Sequence, residues 1–254
     1  NLANRELLYL GVSGDGDSAS IGLGQFAHSM RRGVNMVYIV ENNGVYGLTK
    51  GQFSATADRG STSKKGVVNP DAPVDLVGLA LQLGATYVAR GFSGDKAQMV
   101  PLIKGAILHG GAAFIDIISP CVTFNNHVGS TRSYDYVREH NEAVSRIDFI
   151  DLAPEQIAEP VPGEVIEVPQ PDGAMLRLRK LHTDYDPTDR VGAMNHVLAH
   201  QAQGEIVTGL LFVEAAAQDL HHALGTTARP LNSLGEAELC PGAATLAKLN
   251  LGLR

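Results

Sequence analysis

The chain has 254 residues, of which 44% are hydrophobic and 19% charged, and its formal net charge is −7. This composition is that of a globular protein with a sizeable core, and its acidic balance argues against nucleic-acid binding through a basic patch. No run approaches the ~20 continuous apolar residues that span a bilayer, and the only two cysteines, Cys121 and Cys240, favour a cytoplasmic protein over a disulfide framework.

Predicted strands and helices alternate along the first half of the chain. Short apolar runs that end at glycine or polar residues are typical of buried parallel strands. Ser18 and Ser20, Asp75 and Asp95 are residue types that cap helix N-termini. In chain order, the predicted elements are strand Leu7–Val12, helix Ser18–Arg32, strand Met36–Val40, helix Asp75–Leu83, strand Thr86–Ala89, helix Asp95–His109 and strand Ala112–Ile118. This alternation predicts an α/β fold with a parallel sheet.

The regular alternation ends after Ser119-Pro120. For the remainder, we predict a helix over Tyr134–Ile147, a hairpin of Val161–Val168 with Met175–His182 around Pro171-Asp172-Gly173, and a strand over Ile206–Val213. We therefore expect two parts: a parallel-sheet ligand-binding domain over residues 1–118, and an appended C-terminal α+β region over residues 119–254.

An acidic glycine loop, Gly14-Asp15-Gly16-Asp17, follows the first predicted strand, and Asn42-Asn43 follows the second. Because open α/β sheets bind ligands at the carboxyl ends of their strands, we expect the two segments to share one site. A carboxylate in a phosphate-binding loop makes sense if a divalent cation lies between carboxylate and phosphate, and Mg²⁺ prefers oxygen ligands of this kind. Backbone N–H groups of the helix after Asp17 would add donors for the phosphate. This arrangement is typical of a thiamine diphosphate (ThDP) site with Mg²⁺.

Two other interpretations of the glycine loop stay open at this point. Gly14-x-Gly16-x-x-Ala19 also fits the dinucleotide fingerprint, and Glu41 stands where a ribose-binding acid would follow the next strand. Asp15 and Asn43 are also common turn residues. The acid between the glycines and the asparagine pair after Glu41 favour the metal–diphosphate interpretation.

Three further segments carry a family resemblance. Val45–Gln52 has the sequence VYGLTKGQ, Ser119–Asn126 has SPCVTFNN, and Glu238–Gly242 has ELCPG. Together with the glycine loop and the asparagine pair, they resemble the β subunit of 2-oxoacid:ferredoxin oxidoreductases, most closely the 2-oxoglutarate type. The resemblance runs from about Leu7 to the C-terminus.

This resemblance implies a set of site residues. Asp15 and Asn43 would give side-chain oxygens to Mg²⁺, and Val45 would give its backbone carbonyl. The residues implied around the cofactor are Gly14, Asp15, Gly16, Asp17, Asn43, Val45, Gly47, Leu48 and Thr49. The family's catalytic glutamate belongs to the α subunit, so no catalytic residue is assigned to this chain.

Cys121 matches one of the four cysteines that hold a [4Fe–4S] cluster in that family. The other three would come from an N-terminal Cys-x-x-Cys stretch and a further cysteine, which this sequence lacks. Because a cubane needs four ligands, we expect this chain not to hold the cluster that the full-length family binds. The missing cysteines, and a first strand only a few residues from Asn1, suggest that an N-terminal part of the domain is absent from the sequence.

The resemblance implies an enzyme subunit that is active only with its α subunit. The implied reaction is the oxidative decarboxylation of a 2-oxoacid, 2-oxoglutarate in particular, to an acyl-coenzyme A. The electrons would pass through the iron–sulfur cluster to ferredoxin. The alternatives are a non-catalytic diphosphate-binding or assembly module and a NAD-binding dehydrogenase domain.

Overall fold

The computed structural model of the chain describes residues 1–63, 66–149, 165–169, 175–180, 184–240 and 242–253. The strands are β1 (Leu10–Gly14), β2 (Met36–Asn42), β3 (Val45–Tyr46), β4 (Gln52–Phe53), β5 (Tyr87–Phe92), β6 (Ala112–Ile118), β7 (Asn141–Ala143), β8 (Ser145–Phe149), β9 (Val165–Pro169), β10 (Met175–Lys180) and β11 (Ile206–Val213). The α-helices are α1 (Leu23–Arg31), α2 (Leu76–Gln82), α3 (Lys96–Leu108), α4 (Tyr134–His140), α5 (Arg190–Gln201), α6 (Leu220–Leu224), α7 (Glu236–Leu239) and α8 (Gly242–Gly252). A π-helical turn over Gly16–Ile21 precedes α1, and a 3-10 turn lies at Leu231–Ser233.

A six-stranded sheet with the order β1-β2-β6-β5-β11-β7 forms the centre of the fold. The first four strands in that order are parallel, β11 runs antiparallel to β5, and β7 runs parallel to β11. A second, antiparallel sheet has the order β8-β10-β9. The α/β fold predicted from the alternating pattern is therefore confirmed.

Apolar side chains cover both faces of the central sheet. On one face, Phe26 of α1, Leu76 of α2 and Val197 of α5 belong to a buried cluster with Phe114 of the sheet. On the other face, Leu102 of α3 shares a second cluster with sheet residues and with residues of the smaller sheet. Every residue of β5, β6 and β11 is buried, as expected for strands covered on both sides.

The predicted N-caps of α2 and α3 are confirmed. The Asp75 carboxylate accepts the backbone N–H groups of Val77 and Gly78 at the start of α2. The Asp95 carboxylate accepts the N–H of Gln98 at the start of α3. Both caps satisfy donors that the first helical turn leaves unpaired.

The predicted start of the first helix at Ser18 is wrong. The chain turns into a π-helical segment already at Gly16, and α1 begins only at Leu23. Neither predicted capping serine acts as a cap, because Ser18 Oγ lies 2.9 Å from the hydroxyl of Tyr38 and Ser20 Oγ accepts the N–H of Ala55. Tertiary contacts thus take both hydroxyl groups away from the helix end.

The predicted helix over Tyr134–Ile147 is also wrong beyond its first half. It ends at His140, and the chain continues as β7 and β8. Val144, between these two strands, is buried and donates its N–H to the carbonyl of Thr208. Pairing with β11 therefore overrides the local helical pattern.

The first strand is displaced from the predicted Leu7–Val12 to Leu10–Gly14. Leu7 and Leu8 are each 58% exposed, so the apolar run that suggested an earlier start does not lie in the core. The strand instead extends to Gly14, which lies opposite Glu41 in the parallel pairing with β2.

The C-terminal strands agree with the predictions where the structure describes them. The predicted hairpin strands pair antiparallel as β9 and β10, while the turn at Pro171-Asp172-Gly173 lies outside the described residues. β11 has the predicted bounds. It lies in the central sheet, so strands from both sides of residue 118 build that sheet. Among the described residues, no helix is long and apolar enough to cross a bilayer.

A buried ion triad ties the sheet to α2. Arg90 of β5 donates from Nη2 to Asp75 Oδ1 at 2.6 Å and from Nε to Asp116 Oδ2 of β6 at 2.8 Å. Burial opposes the charge of Arg90, but the two carboxylates raise its pKa above the ordinary value. The guanidinium therefore stays charged and shares its charge between Asp75 and the fully buried Asp116.

We expect Arg90→Met to lower the free energy of unfolding by about 3–5 kcal/mol, because it leaves the buried Asp116 carboxylate without its partner. Urea denaturation followed by circular dichroism measures this loss. The matched control is Arg59→Met, at an exposed position, which should stay within about 0.5 kcal/mol of the parent chain. Equal effects of the two substitutions would contradict the stabilising role of the triad.

Candidate cofactor site

The parallel register of β1 and β2 brings the glycine loop and the asparagine pair together. Asp15 directly follows β1, and its side chain is almost fully buried at 1% exposure. The N–H of Gly44, next to Asn43, donates to Asp15 Oδ2 at 2.9 Å. The two halves of the motif, 29 residues apart in the chain at this contact, are thus joined by a direct hydrogen bond, as predicted from their positions at strand ends.

Two hydroxyl groups complete the surroundings of the Asp15 carboxylate. Ser54 Oγ donates to Asp15 Oδ2 at 2.5 Å, and Thr56 Oγ1 donates to the same oxygen. Among the described residues, no lysine, arginine or histidine forms an ion pair with Asp15. A buried carboxylate that has only uncharged donors carries an uncompensated negative charge, which is costly in a protein interior.

The turn after β2 holds the other predicted metal ligands. Asn43 Oδ1 accepts the N–H of Val45 at 3.0 Å, and the backbone carbonyl of Asn43 accepts Asn125 Nδ2 at 2.7 Å. Gly44 between them has φ +76°, and a Cβ there would lie 2.8 Å from Asn125 Nδ2. Both the backbone conformation and the close approach therefore require glycine at this position.

The oxygen atoms present are suitable ligands for a divalent cation. A buried carboxylate, an amide oxygen and the carbonyl of Val45 lie on two loops that are hydrogen-bonded to each other. These are the hard oxygen ligands that Mg²⁺ prefers, with water and phosphate oxygens filling the remaining positions. The uncompensated charge of Asp15 is what such an ion would offset.

The cysteines do not fit an iron–sulfur cluster. Cys121 is half-buried and Cys240 is exposed, and both are free. Within the described ranges, no group of three or more His, Cys, Asp or Glu side chains is placed to hold a metal ion. Two thiols in the whole sequence cannot supply the four ligands of a cubane.

The other predicted cofactor residues are spread over a wider area. Gly47 lies beside Cys121, whose Sγ would be 3.6 Å from a Cβ at that glycine. Leu48 is 98% exposed, and the exposed Thr49 donates to Gln52 within the same loop. Asp17 is exposed on the π-helical turn. The Gly44 N–H thus joins Asp15 to the turn of Asn43 and Val45, whereas Asp17, Leu48 and Thr49 are exposed.

The sequence analysis did not identify the polar residues that hydrogen-bond to Asp15 and to Asn42. Ser54 and Thr56 come from the Gly- and Ser-rich segment after β4, where no periodic pattern marks them. Asn42 Nδ2 donates to Asp116 Oδ1 at 3.0 Å, and Arg132 Nε donates to Asn42 Oδ1 at 3.3 Å. The one available signal was the length of the segment between Phe53 and Pro73, since long connections in compact domains are usually functional or mobile.

A polar cleft opens beside this network at the same edge of the sheet. Its lining includes Asn42, Asp58, Arg90, Asp116, Arg132 and Glu205. Arg132 Nη1 lies 3.7 Å from Asp58 Oδ1, so both arginines of the cleft face carboxylates. Asn42, whose Oδ1 lies 3.0 Å from the Thr56 hydroxyl, thus lines a cleft at the carboxyl ends of the parallel strands, where α/β sheets bind ligands.

Gly16 packs closely against a neighbouring ring, whereas Gly14 does not. The sequence pattern did not distinguish the two glycines. A Cβ at Gly16 would lie 2.4 Å from the ring of Tyr46, whose hydroxyl donates to the Gly16 carbonyl. A Cβ at Gly14 would meet only Asp17 Oδ2, at 3.8 Å. Gly16 is therefore needed for packing between the two loops, whereas the space beside Gly14 is open.

We expect Gly16→Ala to lower the free energy of unfolding by about 1–3 kcal/mol, because the added methyl group overpacks against Tyr46. Gly14→Ala is the matched control, and its stability should stay near that of the parent chain. Thermal melts of both variants measure the difference. A Gly16→Ala variant as stable as the Gly14→Ala variant would refute the close packing.

Three comparisons with known proteins bear on the family. Residues 2–117 match the family model described as thiamine pyrophosphate enzyme, C-terminal TPP binding domain. A 2-oxoacid:ferredoxin oxidoreductase subunit beta from a Sulfolobus species is 39% identical over 161 residues, which cover 63% of this chain and 52% of that protein. The 2-oxoglutarate oxidoreductase subunit KorB of Mycobacterium tuberculosis is 38% identical over 126 residues, or 49% of this chain and 34% of that protein.

A solved structure extends the likeness to the fold. The 2-oxoglutarate:ferredoxin oxidoreductase from Magnetococcus marinus, with 2-oxoglutarate, coenzyme A and succinyl-CoA bound, superposes with a TM-score of 0.66 and 32% identity. The superposition covers 88% of this chain and 62% of that one. The chain spans about half the length of the curated relatives it matches. The resemblance predicted from the motifs is therefore confirmed: residues 2–117 are similar to thiamine pyrophosphate-binding domains, and the chain is similar to the β subunits of 2-oxoacid:ferredoxin oxidoreductases.

Proposed function

We propose that this chain is the ThDP- and Mg²⁺-binding part of a 2-oxoacid:ferredoxin oxidoreductase β subunit. The observation that carries the proposal is the buried Asp15 carboxylate, which has no cationic partner among the described residues and is hydrogen-bonded to the loop of Asn43. In this proposal Asp15, the Asn43 side chain and the Val45 carbonyl hold the cation. The match of residues 2–117 to a thiamine pyrophosphate-binding model supports the same assignment.

The chain's own groups would bind and orient the cofactor. Gly14 leaves open space beside Asp15 in which a diphosphate oxygen can approach the backbone. Gly16 and Asp17 begin the helical segment, and the exposed loop of Gly47, Leu48 and Thr49 would border the cofactor and the substrate entrance. Thiamine diphosphate, when bound, supplies the electron sink that decarboxylation of a 2-oxoacid requires.

The substrate and partners follow from the relatives. We assign 2-oxoglutarate as the substrate because several relatives are named as 2-oxoglutarate enzymes and the solved structure holds 2-oxoglutarate and coenzyme A. The product would be the acyl-coenzyme A. An α subunit would complete the active site, and ferredoxin would accept the electrons in the full enzyme. Within this chain, residues 1–118 would form the cofactor-binding domain and 119–254 the extension that follows it.

We expect ThDP to bind this chain only in the presence of Mg²⁺, and Asp15→Ala to abolish this binding, because the substitution removes the one charged ligand of the ion. Calorimetric titration of ThDP with and without Mg²⁺ measures both effects. Asp71→Ala, at an exposed acid outside the site, is the matched control and should bind as the parent chain does. ThDP binding that ignores Mg²⁺, or that survives in Asp15→Ala, would refute the proposed site.

We also expect anaerobic reconstitution with iron and sulfide to yield no [4Fe–4S] cluster on this chain, because the sequence has two cysteines and a cubane needs four ligands. The visible charge-transfer absorbance of an iron–sulfur cluster and the iron content per chain report the outcome. The Cys121→Ser variant should give the same result as the parent chain. One stoichiometric cluster that is lost in Cys121→Ser would show that the ligand set has been misjudged.

A further inference from the structure

The hydrogen bonds to Asp15 are distributed unequally between its two carboxylate oxygens. Oδ2 accepts from the Gly44 N–H, from Ser54 Oγ and from Thr56 Oγ1. Among the described residues, no donor reaches Oδ1. The protein therefore saturates one oxygen with its own donors and leaves the other free for a ligand from outside the chain.

The two hydroxyl protons are both directed to Asp15. Each hydroxyl group has one proton to donate, and hydrogen bonds to an ionised carboxylate are the shorter and stronger ones. Thr56 Oγ1 is closer to Asp15 Oδ2 than to its other neighbours, Asn42 Oδ1 at 3.0 Å and Ser54 Oγ at 3.1 Å. Ser54 and Thr56 thus both donate their hydroxyl protons to the Asp15 carboxylate, and neither donates to the hydroxyl group of the other.

A second layer of contacts holds Thr56 in place. Arg132 Nη2 donates to the Thr56 carbonyl at 3.1 Å, and Arg132 Nε donates to Asn42 Oδ1, beside the Thr56 hydroxyl. The amide of Asn42 is fixed from its other end by Asp116, which Arg90 holds in turn. Hydrogen bonds from buried polar and charged side chains therefore fix the position of the Thr56 hydroxyl.

We propose that Ser54 and Thr56 are positioning residues that fix the Asp15 carboxylate so that Oδ1 is the oxygen presented to the divalent cation. The inference rests on the proposed Mg²⁺–ThDP site. Groups that hydrogen-bond a metal ligand fix its orientation and are needed for full affinity even though they do not touch the ion. The same arrangement explains why two hydroxyl residues from a separate loop converge on one carboxylate oxygen.

The test uses Thr56→Val, which removes the hydroxyl donor and retains the branched shape. Calorimetric titration of Mg²⁺, and of Mn²⁺ as a second probe, into a mixture of the chain with excess ThDP should show about 10–100-fold weaker binding of either ion. Thr56→Ser restores the donor and should regain most of the affinity. Thr62→Val, at an exposed position in the same connection, is the matched control and should bind both ions as the parent chain does.

Ser54→Ala provides an independent second variant that removes the other hydroxyl and should also weaken binding. Urea denaturation without metal accompanies each titration, because a merely structural role would lower stability without changing the affinity of the folded variant. Unchanged ion affinity in a folded Thr56→Val or Ser54→Ala variant would overturn the inference while leaving the cofactor site intact. Mg²⁺-independent ThDP binding by the parent chain would instead refute the proposed function itself.

Discussion

Parallel pairing of β1 with β2 sets Gly14 opposite Glu41, and the geometry of the candidate site depends on this register. It places Asp15 and the Asn43 turn at neighbouring strand ends, where the N–H of Gly44 reaches the carboxylate. A shift by one residue would turn every side chain of β1 to the opposite face of the sheet and would separate the two loops. On its other side β2 pairs with the fully buried β6, so the hydrophobic core fixes the strand that carries the Asn43 turn.

The charges at this edge of the sheet are arranged in two different ways. Asp75 and Asp116 share the guanidinium of Arg90, which compensates them inside the protein. Asp15 is buried like Asp116, yet its donors within the described structure are uncharged. Since an ionised carboxylate is costly to bury without a countercharge, the first arrangement is complete in itself, whereas the second lacks the countercharge that the proposed cation would supply. This difference distinguishes the acids of the ion triad from the proposed metal ligand.

Sequence reasoning succeeded where local pattern and function coincide. Asp15 and Asn43 were predicted to lie together because each follows a recognisable apolar strand, and strand ends meet at one edge of a parallel sheet. Ser54 and Thr56 were missed because they lie in a connection without periodicity, and their role depends on a fold that returns them to Asp15. The helix predicted over Tyr134–Ile147 failed for a related reason, since the pairing of Val144 with Thr208 is a long-range contact. Contacts between residues far apart in the sequence therefore explain both the wrong helix prediction and the missed residues.

The segment after Cys121 supports the turn that carries Asn43 without using the cysteine side chain. The N–H of Asn125 donates to the Cys121 carbonyl at 2.8 Å, and the Asn125 side chain binds the backbone of Asn43. Further along, Arg132 holds Asn42 and Thr56. These contacts use amide and guanidinium groups, so the shape of the cofactor loop does not depend on a thiolate–iron bond. The supports of the proposed diphosphate site therefore involve no cysteine side chain.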